Sequence, residues 1–257
     1  MQNYFQDILQ IIRHPKTFAE AIAWGKGIKP FSPDFFFSLI CFSLYAVLSA
    51  AIIFIAPPEF YSAITGAPIH IEHNLWQILL VSSAGSFFTY MASISVFCAF
   101  MPFLSKGRLS LRLPVILVLL PAAYSAIFLL RIHVFFHVLS ALIAFVLMFV
   151  PAFKKNKSFL AMLYCIFLLS VLFIPFQVML AIAVFFSLLK MFIALQAAEG
   201  IVSLFYFVNI GKAMSGLSGS KTAAALIAAV LNVAAFSWSL RMAGIISPNI
   251  AQILSLS

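Results

Sequence analysis

Four histidines and one glutamate form a pattern that is able to bind a metal ion. His70, Glu72 and His73 lie close together, and His133 and His137 are four residues apart. Histidines at positions i and i+4 share one face of a helix and can bind Zn²⁺ when other side chains complete a tetrahedral set of ligands. The sequence therefore predicts Zn²⁺ as its one candidate cofactor. The alternative is that these histidines lie at a membrane interface and bind no metal.

A second group of polar residues, Lys190, Gln196 and Glu199, lies inside a long apolar stretch. Burying a charge in hydrocarbon is costly, and such residues often mark a functional site. Lys190 and Glu199 are nine residues apart, which is half a turn out of register on a helix, so they cannot pair on one face. Gln196 lies one turn before Glu199, and the two can line a cavity or contact another helix. The sequence leaves open whether Glu199 acts in transport, moves a proton or stabilises helix packing.

The basic residues predict a surface that attracts anionic lipid headgroups. The chain carries a net charge of +9, and its lysines and arginines cluster in short segments between apolar runs. Such clusters are typical of topology signals in membrane proteins, and each suitably placed residue contributes about 1 kcal/mol to binding anionic lipid. We therefore expect membrane lipids as partners and no nucleic acid. This basic face comprises Arg13, Lys16, Lys26, Lys29, Lys106, Arg108, Arg112, Lys154, Lys155 and Lys157.

Motifs for catalysis are not apparent in the sequence. The run Gly219-Ser220-Lys221-Thr222 differs from the nucleotide-binding pattern GxxxxGK[ST], because its lysine does not follow a glycine directly. The chain also has no HExxH and no GxSxG motif. We expect a non-enzymatic protein with no catalytic residues.

The composition of the chain indicates that membrane-spanning helices position the polar and basic residues described above. Of the 257 residues, 65% are hydrophobic and 8% are charged, and the mean hydropathy is +1.16. Soluble domains have roughly 45–50% apolar and about 25% charged residues. The sequence therefore predicts an all-α, polytopic transmembrane helical bundle of about seven spans. The predicted spans cover about 35–56, 75–104, 113–130, a stretch ending near Pro151, 159–177, 180–210 and 222–240.

The division of residues 158–210 is the open point of this prediction. Both ends of the segment carry basic residues, so an even number of crossings is needed to keep them on one side. We assign two spans and place the break just after Pro175. The alternative is a re-entrant hairpin around Pro175.

The N-terminal segment has a different pattern. Residues 1–34 place apolar side chains at helical spacing among charged ones, and Pro15 interrupts the pattern. We interpret this segment as two short amphipathic helices in the cytoplasmic interface, and residues 35–257 as the transmembrane domain. A soluble partner helix would have the same pattern. The positive-inside bias places the N-terminus in the cytoplasm and the C-terminus outside, in a bacterial cytoplasmic (inner) membrane.

Three short motifs resemble the Yip family of membrane proteins. Residues 11–18 (IIRHPKTF) are similar to the start of bacterial members, and residues 106–110 (KGRLS), with Pro121 beyond, are similar to a glycine-containing loop and a proline-bearing helix. Residues 208–218 (VNIGKAMSGLS), leading to Lys221 and Ala223, resemble the family's last loop. Family members usually have about five spans, so two of the predicted seven would be an addition.

The resemblance implies a non-enzymatic protein that acts as an interaction or scaffold protein, or as a membrane-organising factor. Its partner would then be another membrane protein or a second copy of the chain. Eukaryotic relatives act in vesicle trafficking with small GTPases. The alternative function is a small transporter or permease subunit with a polar site on the span that contains Glu199.

Overall fold

A computed structural model describes residues 4–26, 28–29, 32–66, 74–106, 108–119, 121–123, 126, 134–154 and 156–256. Its described part is helical and contains no strand. The N-terminal half has α1 (Tyr4–Arg13), α2 (Pro15–Ala21), α3 (Pro33–Ile55), α4 (Pro58–Thr65), α5 (Leu75–Ser105) and α6 (Leu109–Pro114). The C-terminal half has α7 (Val134–Lys154), α8 (Asn156–Phe185), α9 (Leu189–Ser215), α10 (Gly219–Met242) and α11 (Pro248–Leu256). Short π-helical turns, Ile22–Lys26 and Val115–Leu119, extend α2 and α6.

Five of these helices, α3, α5, α8, α9 and α10, are long and apolar enough to cross a membrane. A helix of about 20 residues covers the 30 Å of a hydrocarbon core. Two more apolar helices, Leu109–Ala123 and His137–Phe153, are shorter in their described part. The structure therefore confirms a helical fold in the described residues, with five helices that are long and apolar enough to span a membrane, and the predicted number of seven is not confirmed.

Local sequence determines where several of these helices begin and end. The Ser32 side chain accepts a hydrogen bond from the Phe35 backbone N–H at 3.3 Å, and Pro33 occupies the first turn of α3. The Asn74 side chain accepts a hydrogen bond from the Gln77 N–H at 3.2 Å at the start of α5. These are ordinary N-terminal caps. They fix the starts of α3 and α5 within a few residues of the predicted spans.

The boundary between α8 and α9 corrects the sequence prediction. α8 continues through Pro175 to Phe185, and the chain turns at residues 186–188, where Ser187 has a φ of 55°. The predicted break between residues 177 and 180 is therefore wrong, although two separate helices are present. A proline is tolerated in a membrane helix when neighbouring helices and local adjustment satisfy the freed carbonyl. The true turn has neither glycine nor proline, so the sequence gives no signal for it.

α8 lies at the centre of the bundle. It packs against α3, α5, α9 and α1, and 67% of its most apolar 18-residue window is buried. The corresponding window of α9 is 11% buried, so α9 lies at the periphery with most of its surface facing outward. Any polar residue that α9 buries must therefore lie on the narrow part of its surface that contacts neighbouring helices.

The N-terminal helices α1 and α2 pack on one end of this bundle. They meet at Pro15, where the sequence predicts a break, and they bury Ile11, Phe18 and Ala19 in the same apolar core as the spans. The Tyr206 hydroxyl of α9 donates a hydrogen bond to the Ile12 carbonyl at 3.0 Å. Residues 4–26 are therefore attached to the spans by tertiary contacts, and their location in a membrane interface stays a prediction.

Candidate functional site

Glu199 is a carboxylate buried among the membrane-type helices, with 8% of its surface exposed. The Tyr45 hydroxyl of α3 donates a hydrogen bond to Glu199 Oε1 at 3.0 Å. Gln177 of α8 donates from Nε2 to both carboxylate oxygens, at 3.0 Å to Oε1 and 3.1 Å to Oε2. Three helices, α3, α8 and α9, therefore meet at this one side chain.

The packing of α3 and α9 on α8 explains how the three side chains meet. Both helices contact α8, so a residue on the inner face of each can reach Gln177. Glu199 is the eleventh residue of α9, which places it about 15 Å from the start of the helix at 1.5 Å per residue. Half of a hydrocarbon core is also about 15 Å. A carboxylate at this position of a helix that crosses a membrane would lie near the middle of the hydrocarbon core.

A polar cavity of about 190 Å³ surrounds Glu199. Since each water molecule occupies about 30 Å³ of liquid, this is room for roughly six waters or a small solute. Phe173 and Gly200 complete a lining that is otherwise polar. Besides Glu199, its polar residues are Tyr45, Ser49, Tyr90, Gln177, Gln196 and Ser203.

Glu199 forms no ion pair with a basic side chain in the described part of the chain. The ion pair described there joins Lys16 and Glu20, with a nitrogen–oxygen distance of 3.6 Å, on α2. Lys190 is exposed in the first turn of α9, nine residues or about 14 Å from Glu199 along the helix axis. A carboxylate in such a place needs a proton or a cation to offset the cost of its charge. The cavity gives either one a place beside it.

Helical spacing in the sequence identifies some residues of this site, and the others are identified only from the tertiary structure. The structure brings Gln196 and Glu199 to the same cavity and leaves Lys190 outside it. Tyr45, Tyr90 and Gln177 were not predicted from the sequence as parts of this site. Gln177 had a usable signal, because it is an amide in an apolar run. The misplaced helix boundary had put it at the end of a predicted span, whereas α8 continues to Phe185.

The predicted zinc ligands are largely beyond what the structure describes. His70, Glu72, His73 and His133 lie outside the described residues. His137 lies in the first turn of α7 and is buried, with 7% of its surface exposed. No metal-binding group is found among the described residues. A zinc site therefore stays a prediction.

The basic face is partly described. Arg112 donates a hydrogen bond to the Phe103 carbonyl, and its guanidinium lies 5.0 Å from the centre of the Phe103 ring. The side chains of Lys26 and Lys154 and the whole of Lys155 lie outside the described part. The remaining basic residues are exposed: Arg13, Lys16, Lys29, Lys106, Arg108 and Lys157.

Comparison of the chain with protein-family models, curated proteins and solved structures gave no match. The fold and the site place the chain in a coarse class: its described residues form a helical protein with five helices long and apolar enough to cross a membrane, and a polar cavity around Glu199 lies between these helices. Within that class, the resemblance to the Yip family stays a prediction.

Proposed function

We propose that this protein binds a small primary ammonium ion at Glu199 and carries it across the membrane, as a small transporter or permease subunit. The observation that supports this function is a buried carboxylate with hydrogen-bond donors but no cation, beside an open polar cavity. A bound cation offsets the cost of the buried charge. The depth of the site favours a solute that passes between the two sides of the membrane.

The cavity matches the chemistry of an ammonium group. A primary ammonium donates three hydrogen bonds and accepts none. Glu199 Oε2 accepts only from Gln177, and the Tyr90 hydroxyl and the Gln196 side chain form no hydrogen bond with any described residue. The aromatic rings of Tyr45, Tyr90 and Phe173 add surfaces that attract a cation. These groups together provide acceptors and a low-polarity wall for one small cation.

Calorimetry on the purified protein in nanodiscs tests the binding step. We expect methylammonium chloride to bind, and Glu199→Gln to weaken that binding at least tenfold, because the amide keeps the shape and removes the charge. Glu59→Gln is the matched control, since Glu59 is an exposed carboxylate on α4. Equal binding by Glu199→Gln and the unmodified protein would overturn the proposal. Uptake of labelled methylammonium into proteoliposomes then tests transport.

The number of spans and the orientation in the membrane are part of the same proposal. Seven spans, with α6 and α7 forming parts of the third and fourth, place the N-terminus in the cytoplasm and the C-terminus outside, in a bacterial inner membrane. The exposed lysines and arginines at the ends of α1, α5 and α8 support this orientation. Labelling of single cysteines placed at residues 28 and 246 with a membrane-impermeant reagent tests it. Label on the N-terminal cysteine from outside would contradict the orientation.

A second candidate function follows from the basic face. Arg13, Lys16 and Lys29 are exposed on or near helices that pack on one end of the bundle. A Yip-like scaffold or membrane-organising protein would use such a face to hold anionic lipid. Mass spectrometry of co-purified lipid tests this role: replacing the three residues with glutamine should deplete anionic lipid, whereas Lys190→Gln with Arg241→Gln should not. Unchanged lipid content in the triple variant would count against it.

A further inference from the structure

A second, larger cavity of about 460 Å³ lies beside the Glu199 cavity. It is lined by α5, α8, α9, α10 and α11, and it is open on the side of Val230 and Trp238, which are 53% and 57% exposed. Most of its lining is apolar, including Ile94, Met162, Ile166 and Val233. Binding sites for small molecules have volumes of about 300–1,000 Å³ and are lined mainly by apolar side chains with a few polar groups. The size and the lining of this cavity are therefore those of a ligand site.

The cavity is elongated. Along α10 its lining extends from Leu226 to Trp238, which are twelve residues apart or about 18 Å along a helix. Ala251 and Leu254 of α11 line it as well. An elongated apolar space of this length accommodates an extended hydrocarbon chain better than a compact solute.

The two cavities are neighbours along the same helices. Tyr90 lines both of them. On α9, Glu199 and Ser203 face the polar cavity, and Phe207 one turn further on faces the apolar cavity. The rings of Tyr90 and Phe207 meet edge to face with their centres 6.1 Å apart. This aromatic pair is therefore at the boundary between the acidic cavity and the apolar one.

The apolar cavity also contains an unsatisfied polar atom near that boundary. Ser93, one turn after Tyr90 on α5, lines the cavity, and its buried hydroxyl oxygen has no hydrogen-bond partner among the described residues. A buried hydroxyl without a partner is unfavourable. A polar atom of a ligand, close to its charged end, would satisfy it.

We propose that the ligand is an amphiphilic primary amine, whose ammonium group binds Glu199 and whose hydrocarbon chain passes Tyr90 into the apolar cavity. This inference rests on the proposed function and specifies the substrate class. A carboxylate at one end, a long apolar space at the other and a shared aromatic wall match a molecule with one charged end and one apolar end. A small hydrophilic amine would leave the larger cavity unused.

A chain-length series tests this inference on the full chain in nanodiscs. Binding of methylammonium and dodecylammonium is measured for the unmodified protein and for Ala234→Phe and Ala251→Phe, which reduce the apolar cavity from two different helices. Ala194→Phe is the matched control, because Ala194 is exposed on α9 and lines neither cavity. An unchanged affinity for methylammonium shows that a variant is folded. Dodecylammonium also partitions into the nanodisc lipid, and because this background is the same for Ala194→Phe, the difference between a cavity variant and this control reports binding to the protein.

We expect both cavity variants to bind methylammonium within twofold of the unmodified protein and to bind dodecylammonium at least tenfold more weakly. Dodecylammonium binding that is unchanged in both variants would overturn the assignment of the chain to this cavity and leave the proposed function standing. Failure of the proposed function gives a different result, in which Glu199→Gln leaves methylammonium affinity unchanged.

Discussion

The hydrogen bond from Tyr45 to Glu199 provides a test of whether this carboxylate is charged in the folded protein. Tyr45→Phe removes one of the two donors to Glu199 Oε1 and leaves the Gln177 amide in place. Hydrogen bonds to charged groups contribute about 1.5–3 kcal/mol. Hydrogen bonds between neutral side chains of membrane helices average about 0.6 kcal/mol. The loss in free energy of unfolding caused by Tyr45→Phe therefore depends on whether Glu199 is charged.

We expect Tyr45→Phe to lower the free energy of unfolding by about 2 kcal/mol in the unmodified protein and by about 0.6 kcal/mol in the Glu199→Gln background. The difference of about 1.4 kcal/mol is a tenfold change in the unfolding equilibrium constant. Unfolding in mixed dodecyl maltoside and SDS micelles can be followed by the fluorescence of the three tryptophans. The four proteins form a double-mutant cycle, so effects unrelated to this contact cancel.

Tyr206→Phe is the matched control, because the Tyr206 hydroxyl donates to the neutral Ile12 carbonyl at the same distance of 3.0 Å. Its cost should be the same with Glu or Gln at position 199. Equal costs of Tyr45→Phe in the two backgrounds would refute the reasoning. Glu199 would then be neutral in the resting protein, and the proton would be the cation that it holds.

Two further predictions concern the packing of the spans, with unfolding in the same micelles as the measurement. Gly211→Val should cost about 1–3 kcal/mol, because a Cβ at Gly211 would lie 2.9 Å from Thr222 Cγ2 between α9 and α10. Gly200→Ala, in open space on the same helix, should cost nothing measurable, and a cost equal to that of Gly211→Val would contradict the steric argument. Asn232→Leu should cost about 0.6–1.7 kcal/mol, since the buried amide donates to the Ile116 carbonyl at 2.8 Å. An unchanged midpoint would mean that this contact does not hold α10 against the turn after α6.

The helices could be predicted from the sequence because a span depends on local composition. The caps at Ser32 and Asn74 mark the starts of α3 and α5, and long apolar runs supply their length. The turn between α8 and α9 could not be predicted, because residues 185–188 read as a continuation of an apolar helix. A proline ten residues earlier was the stronger local signal, and tertiary packing overrides it.

Only the residues of the candidate site that lie on the same helix, α9, could be predicted from the sequence. Gln196 and Glu199 follow from helical spacing, which depends on the backbone alone. Tyr45 lies 154 residues from Glu199 in sequence, and a single sequence contains no information on which spans are neighbours. The second cavity has no sequence signal at all, because its apolar lining is indistinguishable from lipid-facing residues.

The short turn at residues 186–188 also has a consequence for biosynthesis. Gln177 and Glu199 are each eleven residues from Leu188, so a hairpin that closes there brings them level without further adjustment. Both donors, Tyr45 and Gln177, precede Glu199 in the chain and leave the ribosome before it. The acidic residue therefore enters the bilayer when the groups that hydrogen-bond to it are already there. A one-residue insertion in α9 between Leu189 and Glu199 would rotate Glu199 by about 100° away from Gln177 and expose the nascent carboxylate to lipid.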